Sequence, residues 1–131
     1  MEELGLFCQF SVSHTTRNPR GQEKEGVHYH FVDEQEFNKL EFYEKVQFTG
    51  NQYGTTKNAI RTIIEKKKLP ILDVNIWAIA QLREHDTLRM TKVFIKPPSL
   101  KCLWERLRKR AKSTGESIAS SKRRHAKAIE E

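Results

Sequence analysis

No stretch of this chain is apolar for the roughly 18 residues a membrane-spanning helix needs, and no leader of charged, apolar and small residues opens it. Cysteine is nearly missing. Cys8 and Cys102 stand far apart with no ligand spacing, which argues against a disulfide framework or a zinc site and suits two thiols in a reducing compartment. Aromatic residues make up only 9% of the chain and are not interleaved with its basic clusters, which argues against a single-strand nucleic-acid platform. No recognition-helix or RNA-binding motif occurs, so a nucleic-acid partner is not expected. With 37% hydrophobic residues and a mean hydropathy of −0.73, the chain is polar without the signature of disorder. These features describe one soluble, cytoplasmic (cytosolic) domain with no membrane partner; its 131 residues could bury about two-thirds of the unfolded surface.

Charge is present in excess and unevenly placed. The net +7 is concentrated after residue 100, where ten Lys/Arg face four Asp/Glu. The two clusters are Arg106, Arg108, Lys109, Arg110, Lys112 and Lys122, Arg123, Arg124. Such a segment is a solvated helix face, a nucleic-acid arm or a lid over polyphosphate, and charge alone favours the first.

Periodicity gives a mixed α/β order. Strands are expected at Leu6–Ser13, Val27–Val32, Phe42–Thr49, Pro70–Asn75 and Met90–Lys96. Asp33 followed by Glu36 reads as a capped helix start for 33–40. Thr56–Lys68 is a helix with Ala59, Ile60, Ile63 and Ile64 on one face. Residues 76–84 read as helix, Ser99 caps a helix with a Leu100, Leu103, Trp104, Leu107 core stripe, and 116–131 is a polar helix. Alternating strands and helices predict a parallel sheet with ligands at the carboxyl ends of its strands, near Ser13, Asp73 and Asn75. His28 and His30 would share a strand face, but no third ligand accompanies them and no metal site is expected.

The densest chemistry lies in SVSHTTRNPR, residues 11–20. Arg17 and Arg20, three apart with Pro19 stiffening the backbone between them, suit a phosphate-bearing ligand, because each guanidinium presents a planar fork of donors. Downstream come Gly26-x-x-Tyr29-x-Phe31-Val32, then Glu44, then Gly50-Asn51-x-Tyr53-Gly54-Thr55. This order and spacing resembles the GMP-binding half of guanylate kinase, over nearly the whole chain.

The resemblance implies an incomplete P-loop-kinase-type parallel sheet with helices, a strand-rich GMP-binding lobe and a helical lid. It implies a single partial domain over 1–131, with the lobe at 14–56, a core remnant at 70–105 and the lid region at 106–124. Ser13 and Thr55 resemble hydroxyls that bond guanine, and Glu44 the carboxylate that accepts from its N1–H and amino group. Arg17, Arg20, Tyr29 and Tyr53 resemble the groups that bind the GMP phosphate. Asp73 matches the first acid of a D-x-D element near metal and phosphates. Arg106 and Arg110 resemble ATP-binding lid-hinge arginines, and Arg123 or Arg124 the lid arginine that stabilises the transferred phosphoryl. In catalytic terms the set is Arg17, Arg110, Arg123, Arg124 and Asp73; the cofactors implied are ATP and Mg2+.

The departures bear on activity. No G-x-x-x-x-G-K-S/T occurs, so no loop of backbone amides cradles ATP phosphates. Asn75 stands where the second acid of D-x-D would be, and Ala78 where a glycine would follow. The family's first strand, central in its sheet, and its last strand and helix have no counterpart, which predicts a marginal or aggregation-prone monomer unless a complementing chain supplies the strand. Two readings follow. The first is a guanylate kinase-like protein, ATP + GMP to ADP + GDP, with the GMP site retained. The alternative is a catalytically inactive module that binds GMP or a phosphorylated peptide, or a truncated product with no function of its own.

Overall fold

In a computed structural model, residues 7–48, 50–82, 89–115 and 117–130 are described, and the chain divides between Arg89 and Met90 into two compact units. The first unit holds two sheets. β1 (Cys8–Phe10) and β6 (Leu69–Ile71) form a parallel pair, with Cys8 opposite Leu69 and Phe10 opposite Ile71. β2 (His14–Thr15), β3 (His30–Phe31), β4 (Phe42–Phe48) and β5 (Asn51–Thr56) form a four-stranded sheet in the order β3-β2-β5-β4. β2 and β3 run parallel there, and the other pairings are antiparallel. The parallel arrangement expected of the core thus lies in β1 and β6, and the lobe after Arg17 is mixed.

Capping residues set the helix starts. α1 (Glu34–Lys39) is capped by Asp33, whose side chain accepts from the Glu36 N–H at 2.8 Å. Its Phe37 is 0% exposed and stacks on Phe42 with ring centroids 4.4 Å apart. α2 (Lys57–Glu65) is capped by Thr56 and buries Ile60 and Ile63; Ile64, expected on the same face, is exposed. α3 (Ile76–Leu82) starts where the Asn75 side-chain oxygen accepts from the Ala78 N–H at 3.0 Å. Gln81 fastens α3 to β4, donating to the Lys45 carbonyl at 2.8 Å and accepting from the Lys45 N–H at 3.0 Å.

A bulge shapes the lobe. The β4–β5 register steps from Phe42 opposite Thr56 to Glu44 opposite Thr55, leaving Tyr43 as the extra residue. In an unbroken ladder, residues two apart share a face. The bulge instead leaves Phe42 beside Gly54 on one side and turns Glu44 to the side of Thr55 and Ser13. Gly54 is required by the close approach. A Cβ there would meet the Phe42 ring at 2.6 Å and the Glu44 carbonyl oxygen at 2.8 Å.

The second unit is a helical pair, α4 (Leu100–Thr114) and α5 (Ile118–Glu130). Ser99 caps α4, accepting from the Cys102 N–H at 3.1 Å, and Gly115 ends it at φ 69°. Trp104 meets the His125 ring edge-on at 5.5 Å, and the Ser121 hydroxyl donates to the Leu107 carbonyl at 3.4 Å. Of the expected Leu/Trp stripe, Trp104 meets α5, Leu103 and Leu107 are half-buried, and Leu100 is exposed. The expected strand at Met90–Lys96 does not form. Val93, Phe94 and Ile95 are exposed in succession, and apolar content alone makes no strand when no neighbour pairs with it.

Candidate nucleotide site

β4, β5, the start of α3 and the segments just before β2, just before β3 and after β6 surround a cleft of about 300 Å³ in the first unit. Its walls include Ser13, Tyr29, Glu44, Tyr53, Asp73 and Asn75, with Val46 and Phe48 supplying apolar surface. Val46 and Phe48 were not among the expected site residues; they follow from the regular ladder after the bulge, in which Glu44, Val46 and Phe48 alternate onto one side of β4.

At one end is a buried hydroxyl–carboxylate group. Ser13 and Thr55 share a hydrogen bond of 3.3 Å between their hydroxyls. Glu44 is only 4% exposed, and this burial raises its pKa above the ordinary carboxylate range, an effect partly offset by hydrogen bonds from the side chain and backbone of Thr55. A buried carboxylate with one hydroxyl partner keeps acceptor capacity for a ligand that offers adjacent N–H donors.

Against Tyr29, beside the cleft, is a buried guanidinium near two aromatic rings. Arg17 is 8% exposed, with its Cζ 5.3 Å from the Tyr29 ring centroid and 5.7 Å from that of Phe31. Tyr29 and Tyr53 meet edge-on at 5.9 Å. Glu23, absent from the expected site, forks onto Arg17 at 2.8 and 3.0 Å and also accepts from the Arg20 N–H at 2.8 Å. The Glu23 carboxyl is held below its ordinary value, first by the Arg17 hydrogen bonds; the Arg17 pKa rises chiefly for the same reason. Burial raises the Tyr29 pKa. Glu23 lies three residues after Arg20, just beyond the 11–20 segment, and no periodic pattern marks it.

Of the expected GMP residues, Ser13, Tyr29, Glu44 and Tyr53 line the cleft, Thr55 backs it, and Arg17 abuts Tyr29. Arg20 is exposed, next to the clamp through its backbone. Asp73 lines the cleft, and Asn75 stands beside it with its side-chain oxygen committed to α3. Arg106 and Arg110 are exposed on α4; Arg123 and Arg124 lie on α5. All four belong to the second unit. His28 accepts from the Lys24 N–H at 3.0 Å and His30 pairs with Glu25 at 2.8 Å; among the described residues no three His, Cys, Asp or Glu side chains gather as a metal cluster would require.

The fold is thus an α/β domain whose mixed-sheet lobe carries a cleft lined by the buried Glu44 and by Tyr29 and Tyr53, with the buried Arg17 against Tyr29 and Phe31. Comparison sharpens this. The sequence model of guanylate kinase matches residues 2–131. The guanylate kinase of Idiomarina loihiensis is 44% identical over 115 residues, covering 85% of this chain and 54% of that protein. The guanylate kinase of Sus scrofa is 40% identical over 123 residues, covering 91% and 62%. The crystal structure of guanylate kinase from Anaplasma phagocytophilum superposes with a TM-score of 0.68 at 31% identity, over 92% of this chain and 65% of that one. The chain belongs to the guanylate kinase family, and it spans between 54% and 62% of the length of these two curated relatives.

Proposed function

We propose that the cleft binds GMP, the phosphoryl acceptor of the family reaction ATP + GMP to ADP + GDP. The observation that carries this reading is one cleft lined by Ser13, Glu44, Tyr29 and Tyr53, with Thr55 bonded to Ser13 and Arg17 against Tyr29. Guanine offers two adjacent donors, N1–H and the 2-amino group, which one carboxylate accepts together; adenine offers no such pair, so Glu44 would select guanine. The Ser13 hydroxyl would bond the base. Arg17, Arg20, Tyr29 and Tyr53 would take the phosphate, where charged hydrogen bonds to Arg are the strongest available.

The residues present do not fit an ATP–Mg2+ centre. Mg2+ is usually held through one or two carboxylates plus the substrate's phosphates. Asp73 could serve as one, but the 131 residues hold no phosphate loop to position a triphosphate. This favours binding of GMP over phosphoryl transfer by these residues alone, with Arg106, Arg110 and Arg123 or Arg124 as lid groups where ATP is held. A cytosolic setting accords with such a role, and no described helix is long and apolar enough to cross a membrane.

Calorimetric titration with GMP, with AMP as control, tests the reading. Saturable binding of GMP at least tenfold tighter than AMP is expected; equal or absent binding overturns it.

A further inference from the structure

A guanidinium has two edges that can each grip an oxyanion: the end edge, Nη1 with Nη2, and the side edge, Nε with one Nη. In Arg17 the end edge is filled. Nη1 donates to Glu23 Oε2 at 2.8 Å and to the Asn18 carbonyl at 2.7 Å, and Nη2 donates to Glu23 Oε1 at 3.0 Å. The side edge is not filled: Nε is buried without a hydrogen-bond partner. The guanidinium also interacts with the Tyr53 hydroxyl, and Tyr53 and Tyr29 both line the cleft. Buried polar groups are nearly always paired, so an orphaned arginine N–H next to a cleft marks the place of an absent acceptor.

We infer that Glu23 is a positioning residue of the anion site, clamping the end edge of Arg17 so that its Nε–H edge is the open donor for a phosphate monoester. The same carboxylate accepts from the Arg20 N–H at 2.8 Å, so it holds the Arg17 side chain and the Arg20 backbone at once, and Pro19 limits the freedom between them. Glu23 itself touches no ligand in this scheme. This inference rests on the reading of the cleft as a GMP site, deepens it, and separates Glu23 from the ligand-contacting set. A carboxylate that merely occupied the phosphate's place would act in the opposite direction, and its removal would tighten binding.

The test is calorimetric titration of the wild-type chain and of Glu23→Gln, Glu23→Ala and Glu23→Asp with GMP, guanosine and inorganic phosphate. Glu23→Ala and Glu23→Gln should weaken GMP about tenfold or more while guanosine stays within about twofold, because only the phosphate uses the oriented edge. Glu23→Asp keeps the charge and should recover part of the loss. Arg17→Lys should match the loss of Glu23→Ala, since one ammonium cannot serve two fork edges, and Glu23→Gln added to it should cost no more than about twofold further. Parallel weakening of GMP and guanosine, or loss of cooperative folding in both Glu23→Gln and Glu23→Ala, overturns the inference in favour of a purely structural role. Tighter GMP binding in the variants also overturns it. A wild-type chain that binds phosphate but does not distinguish GMP from AMP overturns the GMP reading and leaves the phosphate arm to judge Glu23. A wild-type chain that binds none of these ligands overturns both.

Discussion

The four-stranded lobe and the β1–β6 pair are built from the same chain, yet they treat their apolar residues in opposite ways. In the lobe, Phe37 is 0% exposed beneath Phe42, and the strands pair along β3-β2-β5-β4. In the β1–β6 pair, Phe10 is 65% and Leu69 66% exposed. Parallel strands are ordinarily buried on both faces, and they join through crossovers instead of tight hairpins. The lobe closes at two ranges: the β4–β5 hairpin turns locally at Gly50 with φ 81°, and β2, far off in sequence, pairs with β5 through His14 opposite Gly54 and Thr15 opposite Tyr53. A four-stranded mixed sheet buries Phe37 against Phe42, and the two-stranded parallel pair leaves Phe10 and Leu69 exposed.

The largest effect that would break this comparison is at Phe37. Replacing Phe37 with Ala removes a fully buried ring stacked on Phe42, and a loss of about 3–5 kcal/mol is expected. That is a large part of a stability of roughly 5–15 kcal/mol for a domain. Urea denaturation followed by circular dichroism measures it. A loss under about 1 kcal/mol would mean that the lobe has no core of its own and that the contrast with β1–β6 is false.

How legible was this in the sequence? The caps were: Asp33 and Ser99 each carry a short side chain placed three residues before the N–H it accepts from. The lobe's GMP-type residues were legible from their order, because six positions matched together. The strand β5 was not, since Asn51 and Gly54 interrupt its strand formers Tyr53, Thr55 and Thr56, and it holds because β2 and β4 pair on either side. The bulge at Tyr43 was invisible for a related reason: it answers to the partner strand's register, and no local pattern encodes that. The error ran the other way at Met90–Lys96, where composition was right for a buried strand and no paired neighbour was present. Glu23 was missed because a carboxylate in an irregular loop has no periodicity to betray it.

A middle-sized effect sharpens the comparison through charge. Burial raises the Glu44 pKa, so its folded value lies above its unfolded one. Protonation therefore favours the fold: the Glu44 contribution to stability grows as pH falls through the raised folded value and is complete below the unfolded one. Glu23 has the opposite sign; its stabilisation is present above the ordinary carboxylate value and fades only as pH falls through its depressed folded value. On acidification from neutrality, Glu44 should therefore titrate first, with the fold still intact. Guanosine is the right probe, because it lacks the phosphate whose own second pKa is about 6. Its affinity should fall by up to about tenfold per pH unit below the Glu44 pKa, and Glu44→Gln should bind more weakly with a flat profile. A wild-type profile that stays flat into the ordinary carboxylate range would show that the carboxylate end of the cleft is solvated, and the lobe less closed than its packing indicates.

The smallest expected effect is at Phe10, and it sharpens the other half of the comparison. Threonine keeps the strand propensity of β1 while deleting the exposed ring, so Phe10→Thr isolates what the ring contributes. An exposed side chain that covers nothing should change stability by no more than about 0.5 kcal/mol in the same urea titration. The ring should matter instead to association, since exposed apolar residues on a short parallel pair with unpaired edges invite contact between copies. The variant should then stay soluble to higher concentration than the wild type, as measured by light scattering over a dilution series at fixed pH. A loss of 2 kcal/mol or more would mean that the ring is packed in solution and that the β1–β6 sheet has a covered face. The two regions would then differ in strand direction and size but not in burial, and the account of why one of them keeps a core would fail with that result.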